Sequence, residues 1–332
     1  MSESQTADHP RWFPRRLRLT LFAVGLVALV VAGLLTPIPF IGRIGTALGD
    51  LAHAPLFGGI ALGIFCLLDR FRPLPGPGVS LAVRSMLVLV GLFAFGVAIE
   101  LTQQFFGRSA AVHDAVANGL GILAATFWVW ARSFPPDRWW SPRILLSSAG
   151  FLLAIAWWNP LMILRDVVRV HWDFPMLASF ESREELKRWY LRECEARLSR
   201  QDATSGNHSM EVIFQPTSYP GTTLVEMQSD WSAMKTLELD VVLDPSYSGR
   251  SVRFMLKVID KLHQNNHEDA FRGTWTLEVG QPQRIRVTRE EVVRGPDDRE
   301  LDLSKVEAVD LLLLEPGETT KVRFDRLKLT LQ

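Results

Sequence analysis

Five apolar stretches of 17 to 22 residues crowd the first half of this chain, at 19–36, 51–68, 85–106, 115–131 and 144–164. A bilayer core takes roughly 17–25 mostly apolar residues per helix, because each backbone polar group must be satisfied inside its own segment. The stretches therefore predict an all-α transmembrane bundle of about five helices. Arg15, Arg16 and Arg18 precede the first stretch as they would in a signal peptide. That stretch is longer than a signal core and lacks a small-x-small cleavage site, so it reads as an uncleaved helix.

Charge divides the chain at the same place. Residues 1–171 carry 14 arginines, no lysine and 8 acidic side chains, whereas 172–332 carry 22 basic and 28 acidic ones. A shift this sharp marks a domain boundary. The expected organisation is a cytoplasmic tail at 1–18, a membrane domain at 19–164 and a folded domain at 165–332. Basic residues set the orientation. Arg11, Arg15, Arg16, Arg18, Arg70, Arg72, Arg84, Arg132, Arg138 and Arg143 fall on one side of the five crossings; the two short loops on the other side carry only Arg43 and Arg108, and Arg165 and Arg169 after the fifth crossing count slightly against the assignment. The N-terminus is expected in the cytoplasm and the C-terminal domain outside it. The two cysteines, Cys66 and Cys194, lie in different halves and imply no disulfide framework.

On this topology the polar residues of the apolar half gather at the outer leaflet. Asp50 and His53 open the second stretch, Glu100 and Gln103 close the third, Arg108 follows in a short loop, and Asp114 and Asn118 open the fourth. Members of each pair are three or four residues apart and share a helix face. Asp50 and Asp114 also read as helix caps, and His53 alone as a packed histidine. Glu100 follows an almost wholly apolar run, where a carboxylate costs ~2.5–3.5 kcal/mol at mid-membrane. Arg108 and His53 are the candidates to offset that cost.

The order Asp50-x-x-His53, Glu100-x-x-Gln103, Gly107-Arg108, Asp114-x-x-x-Asn118-x-x-Gly121 resembles the VanZ-like family of bacterial membrane proteins over about 33–131. Phe105-Phe106-Gly107 replaces the proline-bearing approach usual before the arginine. The resemblance implies a cell-envelope role, associated in the founding members with glycopeptide-antibiotic resistance, and brings no cofactor or settled reaction.

Beyond residue 172 the apolar period becomes two. Leu237, Leu239 and Val241 share one face of 236–243, and 252–259, 275–279, 284–288, 306–314 and 322–331 also read as strands. One short helix is expected at 184–190. Eight or more short strands in this length predict an all-β, jelly-roll-like sandwich. Ser179-Phe180-Glu181, the run 206–214, Asp230-Trp231-Ser232 and the closing run 322–329 resemble galactose-binding-like sandwiches, the fold of several carbohydrate-binding modules. That resemblance implies glycan binding on an aromatic platform, for which Trp189, Tyr219, Trp231, Tyr247 and Trp275 are available, each also a natural core residue. It further implies a structural calcium at Glu181 and Asp325, a small fraction of the ~6–8 oxygens the ion takes.

The chain has no Walker loop, GxGxxG, HExxH, CxxC or GxSxG, and no basic stripe for nucleic acid. Three functions follow in rank. The first is a non-enzymatic envelope protein whose bundle binds a membrane lipid or lipid-linked cell-wall precursor and whose sandwich binds glycan. The second is a structural lock of three helices anchoring a partner-binding sandwich. The third is an outer-leaflet enzyme using Glu100, His53 and Arg108.

Overall fold

The computed structural model describes residues 42–71, 80–103, 105, 112–134, 140–264 and 268–332, which fall into two compact units divided after Leu164. Four helices form the described part of the first unit: α1 (Arg43–Phe71), α2 (Leu81–Gln103), α3 (Val112–Ser133) and α4 (Trp140–Trp172), which runs on into the second. All four are long and apolar enough to cross a membrane. The expected helix at 19–36 lies outside the described residues. Each helix begins before its apolar stretch, because arginine and polar residues at the ends continue the helix without entering the apolar zone. One consequence corrects an expectation: α1 starts at Arg43, so Asp50 and His53 sit two turns inside it, and Asp50 is no helix cap.

Small residues govern the packing of α1 against α3. A Cβ at Gly121 would stand 2.0 Å from the Ala54 carbonyl oxygen, and one at Gly58 would stand 3.0 Å from the Gly121 carbonyl oxygen. Backbones meet directly there, as small residues at i and i+4 allow between membrane helices. Phe57, Phe65, Leu92, Ile99 and Ile122 fill the rest of this core.

Among the described residues, the second unit is an antiparallel sandwich of eleven strands. One sheet runs β3 (Cys194–Ser199), β4 (Ser209–Phe214), β11 (Thr320–Leu331), β6 (Met234–Leu243), β9 (Pro282–Thr288), with β1 (Met176–Ala178) also on β11. The other runs β2 (Trp189–Arg192), β5 (Gly221–Leu224), β10 (Val306–Leu314), β7 (Ser251–Asp260), β8 (Phe271–Glu278). The period-two residues Leu237, Leu239 and Val241 point into the core with Phe214, Phe254, Phe324 and Trp231. In β11 the inward set changes parity, from Val322 and Phe324 to Leu327 and Leu329. The register slips between Asp325 and Lys328, and Arg326 takes φ 49°. This bulge inserts one residue and returns the apolar set to the core. Two short helices complete the unit, α5 (Arg183–Leu186) and α6 (Arg289–Val293). The expected helix at 184–190 is thus only one turn. It ends at Leu186, and Trp189 onward is strand, because Trp189 inward and Tyr190 outward follow the alternation of a sheet.

The first turns of this unit are the end of α4. Asp166 there pairs with Arg188, Oδ1 to Nη2 at 2.5 Å and Oδ2 to Nε at 2.9 Å, with both side chains buried.

Candidate functional site

Two places concentrate polar side chains, one in each unit. In the first, the N-terminal parts of α1 and α3 meet the C-terminal end of α2. His53 Nδ1 lies 3.0 Å from Asn118 Oδ1 and 3.9 Å from Glu100 Oε1, while its Nε2 lies 3.7 Å from Asp114 Oδ2. Gly96 makes the room, since a Cβ there would stand 3.2 Å from Asn118 Nδ2 and 3.1 Å from Phe57. His53, Glu100, Asp114 and Asn118 are all buried. Asp114 sits in the first turn of α3, where the helix dipole favours a carboxylate.

Asp50, His53, Glu100, Asp114 and Asn118 therefore meet. The Gln103 side chain and Arg108 lie outside the described residues, and the expected Glu100–Arg108 contact lies there with them. His113 joins them unforeseen: its Nε2 is 3.5 Å from both Asp50 Oδ2 and Asp114 Oδ1. Its sequence signal was its position beside Asp114, which puts it one residue round the helix at the same membrane depth. Ligand atoms of His53, Glu100 and Asp114 lie within 4.8 Å of one another, as do those of Asp50, His113 and Asp114.

In the sandwich, the two outward faces differ. The first sheet carries a network of ion pairs. Arg323 binds Glu211 at 3.2 Å and Asp202 at 2.5 Å, and also pairs with Asp244; Arg284 binds Asp240 at 2.7 Å, and Arg286 binds Glu238 at 2.8 Å. Burial alone would raise the Asp240 and Asp244 carboxyls, and hydrogen bonds and nearby guanidinium groups hold both below the ordinary aspartate range. Glu181 and Asp325 serve the 204–208 loop beside this sheet. Glu181 Oε1 accepts the Asn207 and His208 N–H groups at 2.8 and 3.0 Å, and Asp325 Oδ2 accepts those of Thr204 and Ser205 at 2.5 and 2.8 Å.

The second sheet carries an open row. Tyr190, Thr223, Asp310, Lys257 and Arg272 occupy successive strands in register, all on the outward face. Tyr190 is 65% exposed, and Thr223 Oγ1 donates to Asp310 Oδ1 at 2.6 Å. Burial pushes the Lys257 ammonium below the ordinary lysine value, opposed by Asp310, while Arg272 and Arg192 act in the same direction as burial. Asp269 also opposes burial at Lys257, and Arg272 Nη2 lies 3.8 Å from Asp297 Oδ1, so cations and carboxylates alternate around the row. Of the five aromatics weighed between core and platform, four are core: Trp189 and Trp231 are buried, Trp275 packs 6.4 Å from Phe254 and Tyr247 lies against the core, leaving Tyr219 exposed. Tyr190 was masked by the longer helix expected at 184–190; the alternation Trp189, Tyr190, Leu191, Arg192 was the available signal.

No protein-family model matches the chain, and no curated protein does. Solved structures resemble the sandwich. An exo-beta-agarase aligns at TM-score 0.38 and 19% identity over 47% of this chain and 25% of its own, so this chain spans about a quarter of that enzyme. A family 11 carbohydrate-binding module from Clostridium thermocellum, in complex with a beta-1,3-1,4-mixed-linked tetrasaccharide, aligns at 0.37 and 18% over 46% of this chain and 93% of its own. A family 30 carbohydrate-binding module aligns at 0.34 and 14% over 43% and 91%. These likenesses concern fold alone: the chain joins helices fit to cross a membrane to a sandwich resembling carbohydrate-binding modules.

Proposed function

We propose that this is a VanZ-like cell-envelope protein of the bacterial cytoplasmic membrane, whose sandwich binds glycan outside the cell and whose bundle binds a membrane lipid or lipid-linked cell-wall precursor. Under this reading a link to glycopeptide-antibiotic resistance is tested by drug susceptibility with and without the gene. The observation that carries the glycan reading is the in-register row Tyr190–Thr223–Asp310–Lys257–Arg272. An exposed aromatic ring stacks on a sugar face, and the neighbouring hydroxyl, carboxylate and cations supply donors and acceptors for its hydroxyl groups. Lys257 and Arg272 at one end of the row would pair with carboxylate groups on a glycan, which arginine recognises by paired hydrogen bonds.

The test is retention of the full chain, in detergent, on insoluble cell-wall glycan and on a neutral glucan. Tyr190→Ala and Lys257→Ala should each weaken retention on the wall glycan about tenfold, the scale of a lost interface anchor. Unchanged retention in both variants defeats the reading. Calcium at Glu181 and Asp325 belongs to the same proposal and would have to displace the N–H groups those carboxylates accept. Chelation lowering the melting temperature supports it, and an unchanged melt discards it.

The structural lock is the second reading for the bundle, favoured by the 3.0 Å contact of His53 with Asn118 across α1 and α3. Under it, Glu100→Gln lowers the melting temperature and leaves lipid binding unaltered.

A further inference from the structure

The distances in the bundle cluster are of an unusual kind. Hydrogen bonds between nitrogen and oxygen run ~2.7–3.2 Å. His113 Nε2 to Asp50 Oδ2, His113 Nε2 to Asp114 Oδ1 and His53 Nε2 to Asp114 Oδ2 measure 3.5, 3.5 and 3.7 Å. These are longer than ordinary hydrogen bonds and close to the edge of a tetrahedron of ligands, about 3.3–3.4 Å for metal–ligand bonds of ~2.0–2.1 Å.

The chemistry agrees with the lengths. With Nδ1–H donated to Asn118 Oδ1, a neutral His53 carries its lone pair on Nε2, the atom facing Asp114 Oδ2. Two lone pairs face each other there, an arrangement that a cation between them turns from repulsive to attractive. A histidine whose second nitrogen is held by an amide oxygen is the usual outer-shell support of a metal ligand. Asp114 Oδ1 is buried and has no hydrogen-bond partner among the described residues, on a residue 5% exposed. Its two oxygens point to different triads: Oδ1 toward Asp50 and His113, Oδ2 toward His53, with Glu100 in the same group.

We infer that the cluster is a binding site for a divalent transition-metal ion of the zinc class, with the primary ion held by His53, Glu100 and Asp114 and a weaker one by Asp50, His113 and Asp114. Mixed imidazole and carboxylate ligands select zinc, manganese or iron over magnesium and calcium, which take oxygen alone. Asp114 bridges the two positions. The inference rests on the side-chain geometry of the bundle and is independent of what either unit binds.

The full chain, purified in detergent through a histidine-free tag, is stripped with chelator and titrated with zinc and with cobalt. Bound metal is read by mass spectrometry after gel filtration, and cobalt geometry by visible absorption. Wild type should retain at least one equivalent of zinc and give the intense bands of low-coordinate cobalt. Asp114→Asn should abolish both positions, His53→Gln the tighter one, and His113→Gln only the weaker. Asn118→Ala should weaken the tighter one ~10–100-fold, the usual loss on removing an outer-shell partner. Wild type retaining less than a tenth of an equivalent overturns the inference whether or not the variants fold. So does an Asp114→Asn protein that elutes as wild type does and keeps the same metal.

Discussion

Gly121 has no side chain, and the bundle cluster depends on that. A methyl group there would press on the Ala54 carbonyl, beside His53, while Asn118 lies one turn away on the same helix. Gly121→Ala should lower the melting temperature in detergent, equivalent to ~1–3 kcal/mol of overpacking, or more if the helices cannot move apart. An unchanged melt would mean that α1 and α3 do not meet as described. Gly206 is the counterpart in the sandwich. It takes φ +71°, and a Cβ would stand 2.3 Å from Glu181 Oε1, so the loop that Glu181 holds needs glycine for both conformation and space.

Among the elements, β7 ends in a carboxylate that ties several segments together. Asp260 accepts from Arg299 at 2.6 and 2.7 Å, from the Asp302 N–H at 2.8 Å and from the Leu262 N–H at 3.2 Å. Burial alone would raise its carboxyl; the Arg299 and backbone hydrogen bonds outweigh burial and hold it below the ordinary aspartate value of 3.8. A depressed carboxylate stabilises the fold fully above its unfolded value, and that stability is lost as pH falls through the folded one. Asp240 and Asp244 act in the same direction. Melting temperature should therefore be insensitive to these groups above about pH 5 and fall steeply below about pH 4. A sandwich equally stable at pH 3 and pH 7 would contradict the pairing. The central strands were legible in the sequence, since a half-buried strand writes its period directly. Short edge strands were not: Cys194–Ser199 is mostly half-exposed and shows little contrast between its faces. Nor was the parity change in β11, which depends on a bulge at Arg326 that no local residue preference announces. In the bundle, the meeting of Asp50, His53, Glu100, Asp114 and Asn118 followed from helix spacing and direction. His113 was missed because the spacing argument paired residues three or four apart and passed over a neighbour.

At the scale of the whole molecule, the asymmetry of ten arginines against four predicts that the sandwich lies outside the cytoplasm. A cysteine introduced at Ser248, an exposed turn residue, should react with an impermeant thiol reagent in intact cells. Reaction only after the cytoplasm is opened would reverse the orientation.

Ionic strength should separate the two faces of the sandwich. Around Arg323 the charges of the first sheet are paired and out of water, where mobile ions do not reach. The cations of the second sheet meet solvent, and their reach shrinks from ~8 Å at physiological salt to ~3 Å at 1 M. Raising sodium chloride should thus release a charged wall polymer from the row at Lys257 and Arg272 while leaving the melting temperature nearly constant. One face behaves as mortar and, under the proposed glycan binding, the other as a tunable grip, so salt in the surroundings would set how firmly a bound glycan is held without touching how firmly the sandwich holds itself.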